Sequence, residues 1–111
     1  MKLIYFDFRA RAEVSRLLLA AGGREHEDVR ISESQWSEEK KKMPFGQVPV
    51  LQIGHRVFAQ SVAIETYLAR KLGLYGQTNI DGLMIDQVVQ LNQEFRAKAI
   101  TAIKEQDINR K

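Results

Sequence analysis

The spacing of apolar residues changes from one element to the next along the first half of the chain. Leu3–Phe6 is a short apolar and aromatic run that is typical of a buried strand. After Arg11 the apolar residues fall on one face of a helix that Gly22 ends: Val14, Leu17, Leu18 and Ala21. Glu27–Ile31 then alternates polar with apolar side chains, as a second strand does. A strand, a helix and a strand in succession predict parallel pairing through a right-handed crossover.

The middle of the chain predicts a short, exposed helix followed by a hairpin. Ser34–Met43 is polar and rich in lysine, and Pro44 ends it because proline disfavours helical backbone at and before its position. Val48–Ile53 and Arg56–Ala59 are strand-like runs separated by Gly54-His55. Two residues of this kind between two such runs favour a tight antiparallel turn.

A third helix follows the hairpin, with Ser61 as its predicted N-cap and Gly73 at its end. Its predicted apolar face consists of Ile64, Tyr67, Leu68 and Leu72. The expected order of elements is therefore β-α-β-α-β-β-α, an α/β arrangement that resembles the thioredoxin fold.

A polar break at Leu74–Asn79 separates this first part from a second one. Beyond the break, apolar residues keep helical spacing for about twenty residues, or about 30 Å of helix. A single helix with so much apolar surface needs a partner. We therefore expect a thioredoxin-like domain over residues 1–76 and the start of an incomplete all-helical domain over residues 77–111.

Composition narrows the function classes. The chain has 111 residues, 44% of them hydrophobic and 28% charged, which is enough for one core of ordinary size. It contains no cysteine, so a protein thiol nucleophile and thiolate metal sites are excluded. Any sulfur chemistry has to come from a ligand.

Charge and hydropathy argue against nucleic acid and membranes as partners. The net charge is only +3, and the basic run Lys40-Lys41-Lys42 follows Glu38-Glu39, as on a solvated helix face. The sequence lacks an uninterrupted apolar run of the roughly 18 residues that a membrane span requires, so a cytoplasmic location is expected. His26 and His55 lie far apart in sequence, on opposite sides of predicted strands, and we expect no metal site.

Three segments in order carry a resemblance to a known family. The thioredoxin-like arrangement lacks the Cys-x-x-Cys pair of an oxidoreductase, which favours a binding use of the fold. The segments are Tyr5–Glu13, Pro44–Leu51 and Gln60–Ala69. Together they resemble the cytosolic glutathione S-transferases, most closely the sigma class, which includes glutathione-dependent prostaglandin D synthases and the lens S-crystallins.

The resemblance implies roles at the start of the chain. Tyr5 is similar to the family's catalytic tyrosine, whose hydroxyl donates to the glutathione sulfur and favours the thiolate. Arg11 is similar to the arginine that supports the thiolate and orients the active-site loop. Ala10 stands where the sigma class more usually has glycine, so a positive φ at this position would strain the loop.

Further segments are implied to hold the rest of the tripeptide. Gly46-Gln47-Val48-Pro49 resembles the family's cis-proline turn, whose Val48 backbone pairs with the cysteinyl part of glutathione. Gln60 and Ser61, at the start of a helix, would hold the γ-glutamyl carboxylate. Trp36 and Lys40 would grip the glycyl carboxylate.

The family also implies a homodimer. Glu94 resembles an acidic residue that reaches the γ-glutamyl amine in the neighbouring subunit, where aspartate is more usual. Glutathione would be the co-substrate, with a small hydrophobic electrophile as its reaction partner and no metal.

Each of these residues also has a plainer interpretation. Tyr5 taken alone is more consistent with a core residue, and Arg11 with a surface arginine. Pro49 taken alone favours the trans form, and Ser61 a simple helix cap. Trp36 and Lys40 are also consistent with a partly packed indole and a solvated ammonium.

Two functions therefore stay open. The first is a glutathione transferase, an enzyme whose bound thiolate attacks electrophiles, as in detoxification. The second is an inactive truncated or crystallin-like structural or interaction protein that retains the glutathione site. The family normally adds five or more helices that build the second-substrate pocket, and this chain reaches only the first of them.

Overall fold

A mixed four-stranded sheet forms the centre of the first part of the chain. The computed structural model describes residues 1–109, with side chains up to 105. Its strands are β1 (Lys2–Phe6), β2 (Glu27–Ile31), β3 (Val50–Ile53) and β4 (Arg56–Ala59). They follow the order β2-β1-β3-β4 across the sheet. β1 pairs with β2 in parallel, whereas β3 is antiparallel to both of its neighbours.

Helices connect and follow the strands. They are α1 (Glu13–Ala21), α2 (Glu33–Glu39), α3 (Ser61–Lys71) and α4 (Asn79–Asn109). Short 3-10 helices precede α1 at Ala10–Ala12 and follow α2 at Lys40–Lys42. The predicted β-α-β-α-β-β-α order and the thioredoxin-like fold class are confirmed. The hairpin turns at Gly54, whose φ of 62° is a backbone conformation that glycine adopts without steric cost.

Alternate residues of β1 face opposite sides of the sheet, as the strand geometry requires. Leu3 and Tyr5 belong to a cluster with residues of α1 and α3, including Leu19 and Leu68. Phe6 lies between both clusters, and the second is formed by Ile31, Met43 and Val50. The core therefore has two parts, one on each face of the sheet.

The predicted apolar faces of two helices are partly wrong. Leu17 is 59% exposed, and α1 instead buries Ser15 and Leu19. Tyr67 is 38% exposed, whereas α3 buries Glu65. Apolar periodicity indicates that a helix is present, but the face that the helix buries depends on its neighbour, and α1 packs against α3. A buried side chain as small as serine lets two helices approach closely, and such a residue carries no apolar signal in the sequence.

The chain divides into two compact units, Met1–Tyr75 and Gly76–Lys111. The second unit contains α4, whose first turn is tied by Asp81. One oxygen of its carboxylate accepts hydrogen bonds from the backbone N–H groups of Gln77 and Thr78, and its own N–H donates to the Thr78 hydroxyl. The two bonds between Thr78 and Asp81 are reciprocal, as in a capping box, and satisfy donors at the helix start.

Large apolar side chains on α4 are exposed over more than half of their surface: Ile80, Leu83, Met84, Val88, Leu91, Phe95 and Ile103. This exposure agrees with the expectation that the helix needs a further partner surface. None of the described helices is both long enough and apolar enough to span a bilayer.

Candidate glutathione site

Segments far apart in sequence reach the same end of the sheet. The β3–β4 ladder ends with the pair Val50 and Ala59, and Ile4 of β1 lies opposite Val50 on the other side. Because β3 begins where β1, β2 and β4 end, four connections lie at this end. They are the loop after Tyr5, the start of α2, the Val48-Pro49 step and the start of α3.

Tyr5 combines a buried ring with a hydroxyl at the edge of the loop. The residue is 5% exposed and its ring is part of the core, as the plainer interpretation of a strand tyrosine expects. Its hydroxyl oxygen accepts a hydrogen bond of 3.4 Å from the backbone N–H of Arg11. A hydroxyl that accepts one bond keeps its own proton to donate. The geometry therefore leaves the O–H free to stabilise an anion.

The loop between Tyr5 and α1 is strained at one residue. Ala10 has a φ of 37°, within the left-handed region that costs an L-residue about 1–2 kcal/mol. This is the strain that the sequence predicted if the position required a positive φ. The Arg11 side chain that follows is exposed, and its backbone N–H is the donor to Tyr5.

The Val48-Pro49 peptide bond is cis, as the resemblance implies. Pro49 is buried and Val48 is half-buried beside both core clusters. Within residues 1–109, no backbone hydrogen bond joins the peptide groups of Val48 to another residue. They can therefore pair with an extended ligand backbone.

The start of α3 departs from the prediction for Ser61. The N-cap is Gln60, and Ser61 is the first helical residue, so the expectation that Ser61 caps the helix is wrong. Gln60 has φ 77° and ψ 114°, which are not helical, and its side chain makes no capping bond. Strained backbone of this kind clusters at ligand clamps. Ser61 is 9% exposed and stands in the first turn, where a helix leaves N–H groups without intrahelical partners.

Trp36 and Lys40 lie one helical turn apart, and the N–H of Lys40 donates to the carbonyl of Trp36. The Trp36 ring packs edge-on against Phe6, with 5.0 Å between centroids. Lys40 is exposed, and its aliphatic stem lies beside Gly46, where a β-carbon would be 3.4 Å from Lys40 Cε. Gly46 has a φ of 63°, and the exposed Gln47 follows it.

Glu94 lies on α4 in the second unit, and its side chain is exposed. Within the described part of the chain, no three His, Cys, Asp or Glu side chains form a group that could hold a metal ion.

Arg16 is a residue that the sequence analysis missed. Its side chain is only 10% exposed and donates to the carbonyl oxygens of Phe6 and Phe8, at 3.1 and 2.6 Å, and to Asp28 at 3.2 Å. These contacts join α1 to the loop after Tyr5 and to β2. They span 8 to 12 positions of sequence, so no local pattern indicates them.

A second arginine holds the same loop from β2. Arg30 Nη1 lies 2.7 Å from Asp7 Oδ1, and its Nε is 3.0 Å from Asp28 Oδ2. The hydrogen bond to Asp7 and then that to Asp28 raise the pKa of Arg30 above its ordinary value. Asp7 and Asp28 are thus both paired with the permanently charged guanidinium of Arg30.

A family model described as "Glutathione S-transferase, N-terminal domain" matches residues 1–70. The chain belongs to the glutathione S-transferase family. The resemblance drawn from the three sequence segments is therefore confirmed.

Individual relatives agree with this family assignment. Hematopoietic prostaglandin D synthase of Gallus gallus is 40% identical over 99% of this chain and 55% of its own length. Glutathione S-transferase 3 of Caenorhabditis elegans is 48% identical over 85% of this chain and 45% of its own. The structure of Na-GST-3 from Necator americanus matches with a TM-score of 0.83 and 38% identity, over 86% of this chain and 47% of that one.

The match to the Gallus gallus prostaglandin D synthase agrees with the sigma-like class expected from the sequence. The chain spans about half the length of the curated relatives it matches. The family model lies entirely within the first of the two compact units.

Proposed function

We propose that this chain binds glutathione at the end of the sheet where the four connections meet, and that Tyr5 stabilises the bound thiolate. That convergence of four segments is the observation that carries the proposal. A tripeptide with two carboxylates, an amine and a thiol needs separate partners for each group. Residues 1–76 form the binding domain in this proposal, and residues 77–111 begin a helical domain.

Tyr5 and Arg11 act on the sulfur in this assignment. The Arg11 N–H donates to the Tyr5 oxygen, and a hydroxyl that accepts a hydrogen bond becomes a better donor in turn. Donation of the Tyr5 proton to sulfur favours the thiolate over the thiol, so the pKa of the bound thiol falls. The exposed guanidinium of Arg11 adds positive charge near the same loop.

The backbone of glutathione is held by polar groups that the fold leaves available. The peptide groups of Val48, which are not paired within residues 1–109, accept the cysteinyl backbone as an added strand. Ser61 and the N–H groups at the start of α3 bind the γ-glutamyl carboxylate, because the helix start favours negative charge. Gln60 is held by its backbone conformation beside that carboxylate.

The glycyl carboxylate meets the opposite side of the cleft. Trp36 and Lys40 supply an indole N–H and an ammonium group there. Gly46 lies beside the stem of Lys40, which a β-carbon at that position would contact, and Gln47 follows it. The reaction that we infer is attack of the thiolate on a small hydrophobic electrophile in the cytoplasm.

A glutathione titration followed by ultraviolet thiolate absorbance tests the assignment. We expect the wild-type chain to show saturable thiolate absorbance at a pH where free glutathione is protonated. Tyr5→Phe should remove this signal with little change in affinity, because it removes one hydroxyl and keeps the ring. Tyr75→Phe is the matched control, since it removes a hydroxyl from a half-buried tyrosine that lies outside the four connections and follows α3.

The titration also separates the two functions. Binding with a thiolate signal supports a transferase, and binding without one supports a structural or interaction protein that retains the site. Absence of binding refutes the glutathione assignment altogether.

A homodimer is part of the same proposal. An apolar groove of about 570 Å³ is lined by Phe45, Ile53, Phe58 and Tyr67, and Phe45 is 67% exposed. Such a groove on one face supports self-association. In the dimer, Glu94 of one subunit approaches the γ-glutamyl amine bound by the other.

Sedimentation measures the association directly. We expect a mass near twice that of the chain, and a monomer for Phe45→Ser. Glu94→Ala should stay dimeric and bind glutathione less tightly. A monomeric wild type would contradict the dimer and leave the assignment of the cleft to be judged by the titration.

A further inference from the structure

Arg16 lies behind the loop that carries the proposed catalytic groups. Its three nitrogen atoms each donate to a different acceptor: Nη2 to the Phe6 carbonyl, Nη1 to the Phe8 carbonyl and Nε to Asp28. The bond to Phe8 is the shortest, at 2.6 Å. Two main-chain carbonyls on either side of Asp7 are therefore fixed to α1 by one planar group.

The opposite side of the same loop is fixed by ion pairs. Asp28 lies between the two arginines, 3.2 Å from Arg16 Nε and 3.0 Å from Arg30 Nη2. Arg30 in turn holds Asp7 of the loop at 2.7 Å. The four charged residues form a chain of contacts, Arg16-Asp28-Arg30-Asp7, that links α1 and β2 to the loop.

This loop determines where the Tyr5 hydroxyl meets its donor. The Phe8 ring packs edge-on against the Tyr5 ring, with 5.4 Å between centroids. Arg16 Cζ lies 5.8 Å from the centroid of the same tyrosine ring. Two residues beyond Phe8, Ala10 adopts its positive φ, and Arg11 presents the N–H that reaches Tyr5. Release of the loop would therefore move both the ring contact and the donor.

We propose that Arg16 is a positioning residue: it holds the loop from Phe6 to Phe8 so that the Arg11 N–H and the Tyr5 hydroxyl stay aligned for the bound sulfur. This inference rests on the glutathione assignment made above. Arg16 itself touches neither the ligand nor the sulfur. Its effect on the thiolate passes through the loop.

The chemistry of the side chain explains why an arginine is needed. A guanidinium offers five N–H donors in a rigid plane, whereas a lysine ammonium is a single point with three donors on a flexible stem. Lysine keeps the charge that lies near the Tyr5 ring but cannot bridge three acceptors in different directions. The Arg16→Lys variant therefore separates charge from geometry.

The readout is the pKa of the thiol of glutathione bound at saturation, from thiolate absorbance as a function of pH. We expect Arg16→Met to raise this pKa by about one pH unit, a tenfold loss of thiolate at a pH below it, with a smaller change in the dissociation constant. Arg16→Lys should recover only part of the effect. Lys2→Met removes an exposed ion pair between Lys2 of β1 and Glu27 of β2, and this variant should behave as wild type.

Measurement at saturation on folded protein distinguishes positioning from stability alone, because a residue that only stabilises the fold would leave the pKa of the bound thiol unchanged. An unchanged pKa in Arg16→Met would therefore overturn the inference, and so would full recovery by Arg16→Lys, which would assign the effect to charge. If Arg16→Met does not fold, Asp7→Asn loosens the exposed side of the loop and should shift the pKa in the same direction; no shift there refutes the inference. A wild type that binds glutathione without forming thiolate overturns this inference together with the role of Tyr5, whereas absence of binding refutes the glutathione assignment itself.

Discussion

Replacement of Ser15 by alanine should stabilise the protein. Ser15 is fully buried in α1, and within the described part of the chain its hydroxyl oxygen has no hydrogen-bond partner. An unpaired buried hydroxyl costs about 1–3 kcal/mol. Alanine also has the better helix propensity by about 0.5 kcal/mol. The small void left by one oxygen offsets about the same amount.

The expected net gain in the free energy of unfolding is thus about 2 kcal/mol, or a rise in Tm of about 10 °C for a domain of this size. Urea unfolding followed by the fluorescence of Trp36 measures this free energy. Trp36 is the single tryptophan of the chain and lies in the same compact part of the structure as Ser15. Ser37→Ala is the matched control, because Ser37 is exposed in the middle of α2 and reports helix propensity alone. If Ser15→Ala gains no more than Ser37→Ala, the cost assigned to the buried hydroxyl is wrong.

Three other substitutions test the loops and the start of α4. Ala10→Gly should raise the free energy of unfolding by about 0.5–1 kcal/mol in urea, since relief of the positive φ outweighs the greater freedom of the unfolded glycine chain; a loss would argue against strain at this residue. Gly46→Ala should weaken glutathione binding in the thiolate titration, because its β-carbon meets Lys40 and its φ is positive, and equal affinity would contradict that contact. The hydrogen bonds from Gln77 and Thr78 lower the pKa of Asp81 from 3.8, so the helix content of α4 should be preserved above pH 3.8 and fall as the pH drops through the lowered value. Asp81→Asn should lose this acid dependence in circular dichroism, and an unchanged dependence would exclude Asp81 as its cause.

Much of the fold follows from local patterns in the sequence. The C-terminal end of α1 and the turn of the hairpin were predictable because glycine marks both places, with a φ of 62° at Gly23 and at Gly54. The phase of α1 was not, because its packing depends on Ser15, a small polar residue that carries no apolar signal. The apolar periodicity of a segment describes that helix alone, whereas the face that it buries depends also on the helix packed against it.

The candidate site likewise contains features that could be expected before the structure and features that could not. The cis bond before Pro49 was expected only from the resemblance to the family, because the residues alone favoured the trans form. Tyr5 taken alone predicted a core residue, which its burial confirms, and its role at the sulfur stays a prediction. The N-cap of α3 could not be predicted, since the conformation of Gln60 is set by its surroundings and is invisible in its residue type. Arg16 was missed because its acceptors come from other elements.

The outer strand β2 also affects how the protein behaves at high concentration. An unpaired strand edge is a template for another chain, and natural proteins discourage this pairing with charged side chains. The sequence of β2 is EDVRI, in which Glu27, Asp28 and Arg30 are exposed. Neutralising Asp28 and Arg30 together would therefore remove a safeguard against intermolecular β-aggregation. Asp28 and Arg30, which also hold the loop after Tyr5, thus have a second effect at this strand edge.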